Sequence, residues 1–364
     1  VQKAIFYKLF QMLKTIKLSI LGGRINNLES VRRYLGLKDE KQYGFEFVYD
    51  EISPEYIIAT ELIYYYKDLF HSFNKMRRIN PNAISIFRTG ECISPDLNIF
   101  DYAVVFDRNL TDRDRVCRIP FYRYFSASLL VNQKDIDYRN LLEKKSRFCN
   151  FLYSNANAHP TRDRLFFKIS EYKRVDALGN HLNNTGATPK TNALWDSSDW
   201  RRESIDLRSS YKFSIASENA TFPGYVSEKL VSCLQSATVP IYWGDPTVAM
   251  DFNPDALINC HNYKSFDDVV DRVKEIDEKD ELWYDIARAP WQTEEQIHRM
   301  EEDDKKYIEF LVNLFGQELK DARRVGVGYH PGRYREWFQN RFDGMFDMSF
   351  AGKLKRRLNR ALSK

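Results

Sequence analysis

The chain has 364 residues, 43% hydrophobic and 15% aromatic, with 55 basic and 51 acidic residues and a net charge of +4. That length exceeds one ordinary core and predicts two domains, and the near balance of charge excludes a dedicated nucleic-acid binder, whose basic residues would dominate one face. No apolar run approaches the roughly 18 residues of a membrane span. The five cysteines are scattered, odd in number and without metal-ligand spacing, and Lys3, Lys8, Lys14 and Lys17 interrupt any signal-peptide core, so a reducing cytoplasmic setting is expected. The sequons at Asn109, Asn183 and Asn219 read as chance occurrences.

In chain order, Ile5, Leu9, Leu13, Ile16 and Ile20 predict an amphipathic helix over residues 1–21, packed on its own domain or resting on a membrane surface. Gly22-Gly23-Arg24 reads as a turn and not a phosphate loop, because no strand is expected before it. Short strands follow at 43–49 and 56–59, then a helical stretch around 61–76. A buried-type strand, Ala83 to Phe87, ends in Arg88-Thr89-Gly90-Glu91, and Phe100 to Phe106 is another. Ligands of open α/β sheets sit beyond the carboxyl ends of strands, which gives Glu91 a position facing a ligand. The polar stretch 126–147 reads as the domain linker. Phe148 to Tyr153 opens the second domain as a strand, followed by a helix with Leu165, Phe166 and Ile169 on one face and Arg162 in its first turn, where an anion is welcome.

The most informative stretch runs from Lys212 to Pro246. Phe213 to Ala216 and Val239 to Trp243 are buried-type strands, and between them Ser227 caps a helix whose stripe is Leu230, Val231, Leu234 and Ala237. The unpaired N–H groups of that helix start form an anion site. Lys229 adds a full charge, Gly224 lets backbone approach and Tyr225 offers a hydroxyl, so a phosphate or diphosphate is the expected guest. Further on, Leu257 to Cys260 is a strand, Ser265 and Asp268 make a capping box, and helices are predicted over 279–289 and 294–316. Strand and helix alternate, which predicts parallel sheets with helices on both faces. From Lys353 the chain carries six basic residues and no acid, with Leu354, Leu358 and Leu362 four apart, the pattern of a basic amphipathic tail able to lie on a membrane.

Asn219 through Gly224-Tyr-Val-Ser-Glu-Lys229, followed by Ile241-Tyr-Trp-Gly244, resembles the donor-binding motif of the α-1,3-fucosyltransferases, especially the bacterial ones. Gly90-Glu91, Asn98-Ile-Phe-Asp-Tyr-Ala103, Arg118-Ile-Pro-Phe-Tyr122 and Val175-Asp176 through Gly179 resemble further landmarks of that family, and the likeness spans roughly residues 83–290. It implies a GT-B-type α/β fold of two Rossmann-like domains facing each other across a cleft: an acceptor domain over 1–145, a GDP-fucose domain over 146–330 and the tail over 331–364. It further implies inverting transfer of L-fucose from GDP-fucose to O3 of an N-acetylglucosamine in an N-acetyllactosamine-type, Lewis-type glycan, with no metal or other cofactor. Glu91 corresponds to the proposed catalytic base, Arg162 to the residue holding the donor diphosphate, Asn219 and Glu228 to contacts with sugar or ribose, and Tyr225 and Lys229 to the phosphate site.

Two rival readings are a transferase of another nucleotide sugar and a non-catalytic glycan-binding protein. Asp112-Arg-Asp114 and Asp135-Ile-Asp137 have the letters of a metal-binding Asp-x-Asp loop, but neither directly ends an apolar strand, and the six histidines lack ligand spacing.

Overall fold

The computed structural model describes residues 13–22, 27–37, 39–110, 114–125, 137–186 and 198–345. The chain forms two compact units that exchange segments: one holds residues 1–105, 111–117 and 306–364, the other 106–110 and 118–305. The crossings differ from the expected divisions at 145 and 330. Residues 118–125 and the helix Tyr138–Glu143, in and before the supposed linker, belong with the second unit, and the described residues past 305 return to the first.

In the first unit, β1 (Lys14–Leu21), α1 (Leu28–Leu35), β2 (Phe45–Tyr49), β3 (Tyr56–Thr60), α2 (Lys67–Ile79), β4 (Ile84–Arg88), β5 (Tyr102–Val105) and β6 (Val116–Arg118) build a sheet of order β2-β1-β3-β4-β5-β6. Adjacent pairs from β2 to β5 are parallel. The helix expected over 1–21 is therefore wrong for its second half: Lys14–Leu21 is a central strand. Its spacing of apolar residues by four hid an alternating pattern, and Ile16, Leu18 and Ile20 are all fully buried. Residues 1–12 lie outside the described residues. A strand does precede Gly22, and the reason given for dismissing that turn falls. Gly22 itself is a steric requirement, with φ +85° and a Cβ position only 2.1 Å from the Thr60 hydroxyl oxygen.

The second unit contains α3 (Tyr138–Glu143), β7 (Arg147–Phe151), α4 (Thr161–Tyr172), β8 (Val175–Ala177), α5 (Ser198–Arg208), β9 (Tyr211–Ser217), α6 (Glu228–Gln235), β10 (Val239–Trp243), β11 (Ile258–Asn259), α7 (Phe266–Glu278) and α8 (Asp280–Arg288). Its parallel sheet has the order β11-β10-β9-β7-β8. The predicted capping box of Ser265 and Asp268 is present at the start of α7. The long helix α9 (Glu294–Gly316) contains the point where the chain leaves this unit, and α10 (Leu319–Ala322) and α11 (Tyr329–Met345) follow in the first. The basic tail from Lys353 lies outside the described residues, among which no helix is long and apolar enough to cross a membrane.

Both sheets are buried on two faces, which is why their strands read as continuous apolar runs such as IIAT and VPIYW. Both also reverse strand order next to their first strand, between β1 and β3 and between β7 and β9. Loops leaving the carboxyl ends of such a pair diverge to opposite faces and leave a crevice for a ligand.

Candidate functional site

In the second unit the residues at that reversal are the ones the sequence singled out. Arg162 follows β7 and Asn219 follows β9. The guanidinium donates to the Ser217 carbonyl (3.2 Å), to the Asn219 side-chain oxygen (2.6 Å) and to the Asn155 carbonyl (3.3 Å), and lies over the Tyr153 ring at 4.1 Å. Arg162 is only 1% exposed, and no carboxylate pairs with it among the described residues. It thus clamps the loops after β7 and β9 to one another while its charge is met by carbonyl oxygens alone, an arrangement that favours a nearby anion.

Lys229 lies in the first turn of α6, as expected. Its ammonium contacts Ser227 Oγ (3.0 Å), Glu228 Oε1 (3.3 Å) and Glu218 Oε2 (3.4 Å). Glu218, which the sequence reading missed, is fully buried. It accepts from the Ser227 backbone N–H (2.8 Å) and hydroxyl (2.7 Å), so a protein carboxylate already answers part of the helix-start field that was expected to be kept for a guest. Burial pushes the Glu218 carboxyl up, against the pull of Lys229. At Glu228 burial also pushes upward, but Lys229 and hydrogen bonds at the helix start outweigh it and hold that carboxyl below its usual range. The two acids flanking one lysine are therefore inequivalent: Glu228 is the better anion, Glu218 the more readily protonated.

Gly244 makes this arrangement possible, since a Cβ there would sit 2.4 Å from Glu218 Cγ. The other glycine has a different role from the one assigned to it. Gly224 has φ +91°, and a Cβ would stand 2.4 Å from the Phe106 carbonyl oxygen, so it admits the 106–108 backbone and not a phosphate. Tyr225 is buried against Phe106, ring to ring at 5.0 Å. At the carboxyl end of β10, Trp243 stacks with His159 (4.9 Å) and with His261 (6.0 Å), contacts that the search for ligand spacing among the histidines overlooked.

In the first unit Glu91 follows β4 in the turn Thr89-Gly90-Glu91, which the Thr89 hydroxyl closes by accepting from Glu91 N–H (3.0 Å) and donating to its carbonyl (2.8 Å). Glu61, at the end of β3, accepts from the Gly90 N–H at 3.3 Å. Burial pushes the Glu61 carboxyl up, and the neighbouring Glu91 adds to this while Arg88 opposes it. Two carboxylates thus stand at the ends of adjacent strands. Glu61 and Glu218 obey the same strand-end rule that identified Glu91, and applying it to every strand would have found both. Of the Asp-x-Asp candidates, Asp114 pairs with Arg324 and Asp137 caps α3, while Asp112 and Asp135 lie outside the described residues.

Residues 142–325 match the family "Glycosyltransferase family 10 (fucosyltransferase) C-term", and residues 34–125 match "Alpha-(1,3)-fucosyltransferase FucT N-terminal domain". The chain is similar to a candidate fucosyltransferase of Acanthamoeba polyphaga mimivirus, 28% identical over 276 residues, 75% of this chain and 44% of that protein. It is also similar to the α-(1,3)-fucosyltransferase FucT of Helicobacter pylori, 33% identical over 224 residues, 53% of this chain and 44% of that protein. The chain thus spans less than half the length of these relatives. A crystal structure of an α1,3-fucosyltransferase with GDP-fucose aligns with 82% of this chain and 92% of its own, at 22% identity and a TM-score of 0.59, and the shared fold is the GT-B type with two Rossmann-like units. With the first match covering half of its 364 residues, the chain belongs to glycosyltransferase family 10, the fucosyltransferases.

Proposed function

We propose that the protein is an inverting α-1,3-fucosyltransferase that moves L-fucose from GDP-fucose to O3 of an N-acetylglucosamine in a Lewis-type glycan. The observation that carries the reading is the pairing of Arg162 with Asn219 and of Lys229 with Glu218 and Glu228 at the strand reversal of the second unit. Departure of GDP builds negative charge on the β-phosphate. Lys229, the Arg162 charge and the α6 dipole are suited to absorb it without a divalent ion, being fixed in place before the reaction and needing no reorganisation. Tyr225, expected at the phosphate, is buried against Phe106 and supports the loop between β9 and α6, and Glu228 and Asn219 contact sugar or ribose. Glu91 takes the proton of the acceptor hydroxyl as that oxygen attacks the anomeric carbon from the face opposite the leaving GDP. The protein works in the cytoplasm, with its basic tail on a membrane surface.

The test is a thermal-shift panel of GDP, UDP, CMP and their sugars, with and without EDTA, because a ligand that binds the folded state raises its stability. Selective stabilisation by GDP and GDP-fucose that survives EDTA is expected. Stabilisation by UDP or CMP compounds alone, or only with a divalent ion, would overturn the donor assignment.

A further inference from the structure

The first unit holds a second charged feature, far in sequence from the residues above. Arg77 and Arg78 at the end of α2, Arg323 after α10 and Arg335 on α11 line one cavity of about 580 Å³. None of the four pairs with a carboxylate among the described residues. The two acids on the cavity wall have other partners than these four arginines: Asp343 pairs with His71, also on the wall (3.0 Å), and Glu336 with Arg333 outside it (3.0 Å). Backbone carbonyls hold three of the guanidinium groups in place, Ile99 for Arg77 (2.8 Å), Pro81 for Arg323 (2.6 Å) and Gly326 for Arg335 (3.1 Å). The Arg77 guanidinium is pushed down to about 10, chiefly by burial; Asp101 opposes this, and Arg335 and Arg323 add to the lowering. Like charges gathered and fixed in this way repel one another, and the fork geometry of guanidinium matches phosphate oxygens.

We propose that this cavity is a binding site for a phosphorylated ligand carrying at least two negative charges, separate from the donor site. The same chemistry is offered by a soluble phosphate or diphosphate ester and by the headgroup of an anionic lipid. The exposed Val327 on the cavity wall and the exposed Trp337 on α11 would suit the second source.

The test compares the wild-type protein with the double variant Arg323→Gln/Arg335→Gln in two arms. Pyrophosphate titration is followed by calorimetry at low salt, and flotation is measured with vesicles of phosphatidylcholine with or without phosphatidylglycerol. Donor-site residues are identical in both proteins, so a difference between them reports this cavity alone. Without ligand the double variant is expected to melt at or above the wild-type temperature, because repulsion is relieved. A tenfold or greater loss of pyrophosphate affinity with unchanged vesicle binding identifies a soluble ligand; a loss of binding to the anionic vesicles identifies a lipid headgroup. Equal behaviour of the two proteins in both arms overturns the proposal. Should the double variant melt lower, Arg78→Gln, at an exposed position, repeats the comparison with the same criteria.

Discussion

Lys229 has two jobs in this account, holding charge inside the protein and receiving charge from the leaving nucleotide, and a pair of substitutions separates them. Lys229→Met strips the counter-charge from the fully buried Glu218. At 3.4 Å and an effective dielectric of about 20, the two charges attract by about 5 kcal/mol before desolvation is counted. Removing one partner of a buried pair costs about 3 kcal/mol, at the low end of the usual range because Glu218 can escape by taking a proton. For a unit of this size that lowers the melting temperature by roughly 6–12 °C. Adding Glu218→Gln keeps an acceptor for the Ser227 N–H and removes the stranded charge, so the double variant should regain most of that loss. Its GDP affinity should stay low, because a charge-assisted hydrogen bond to phosphate, worth about 1.5–3 kcal/mol, is still missing. Scanning fluorimetry and GDP calorimetry on the four proteins of the cycle give both quantities. If the double variant binds GDP within threefold of wild type, Lys229 does not touch the donor; if Lys229→Met melts like wild type, the ion-pair reasoning is wrong.

Glu91→Gln should bind GDP like wild type and lose transfer by about a hundredfold or more, the usual contribution of a positioned base; full activity in a radiolabelled-fucose assay removes the assignment. Glu61→Gln probes the neighbouring acid by pH. The folded carboxyl of Glu61 is raised, so its stabilising effect is complete below the ordinary carboxylate range and disappears as pH rises through the folded value. Melting curves from pH 4 to 7 should therefore show Glu61→Gln gaining on wild type with rising pH, and parallel curves would refute this. Gly224→Ala should cost more than about 1 kcal/mol, from a positive φ and a Cβ on the Phe106 carbonyl, as read by urea unfolding.

The donor half of the site was legible because local chemistry and topology agree there. A strand, a Ser cap, a first-turn lysine and a second strand lie within 35 residues, and parallel pairing of β9 with β10 follows almost from that spacing. Arg162 was legible as a residue but not as a geometry: the helix start predicts a cation facing outward, whereas the Tyr153 ring and the Ser217 carbonyl, the latter 55 residues away, draw the guanidinium inward. Glu218 escaped notice because an acid ending an apolar strand resembles any solvated loop acid until Gly244 and Ser227 are brought against it. β1 was misread because Lys14 breaks its alternation at the inward parity, and a fourfold spacing of apolar residues satisfies both strand and helix periods.

The division into units was least legible, and the reason is specific. A linker is sought where the sequence turns polar, which points to 126–147, yet the chain enters the second unit at Phe106. What holds it there is a set of contacts with partners more than a hundred residues away. Asp251 forms ion pairs with both Arg108 and Arg118, and the Arg108 and Tyr122 amides donate to the Pro223 and Val226 carbonyls. Burial would raise the Asp251 carboxyl, but the two guanidinium groups override it and hold it below the ordinary range. A depressed carboxyl stabilises above its unfolded value and loses that effect as pH falls through the folded one, so this anchor weakens in acid. Asp251→Asn should cost about 3 kcal/mol at pH 7, since two half-buried cations lose the carboxylate they share, and progressively less below pH 4. A stability difference between the two proteins that stays constant from pH 7 to pH 3 would show that the segment is held by its apolar contacts, such as Phe106 on Tyr225, and not by the ion pairs.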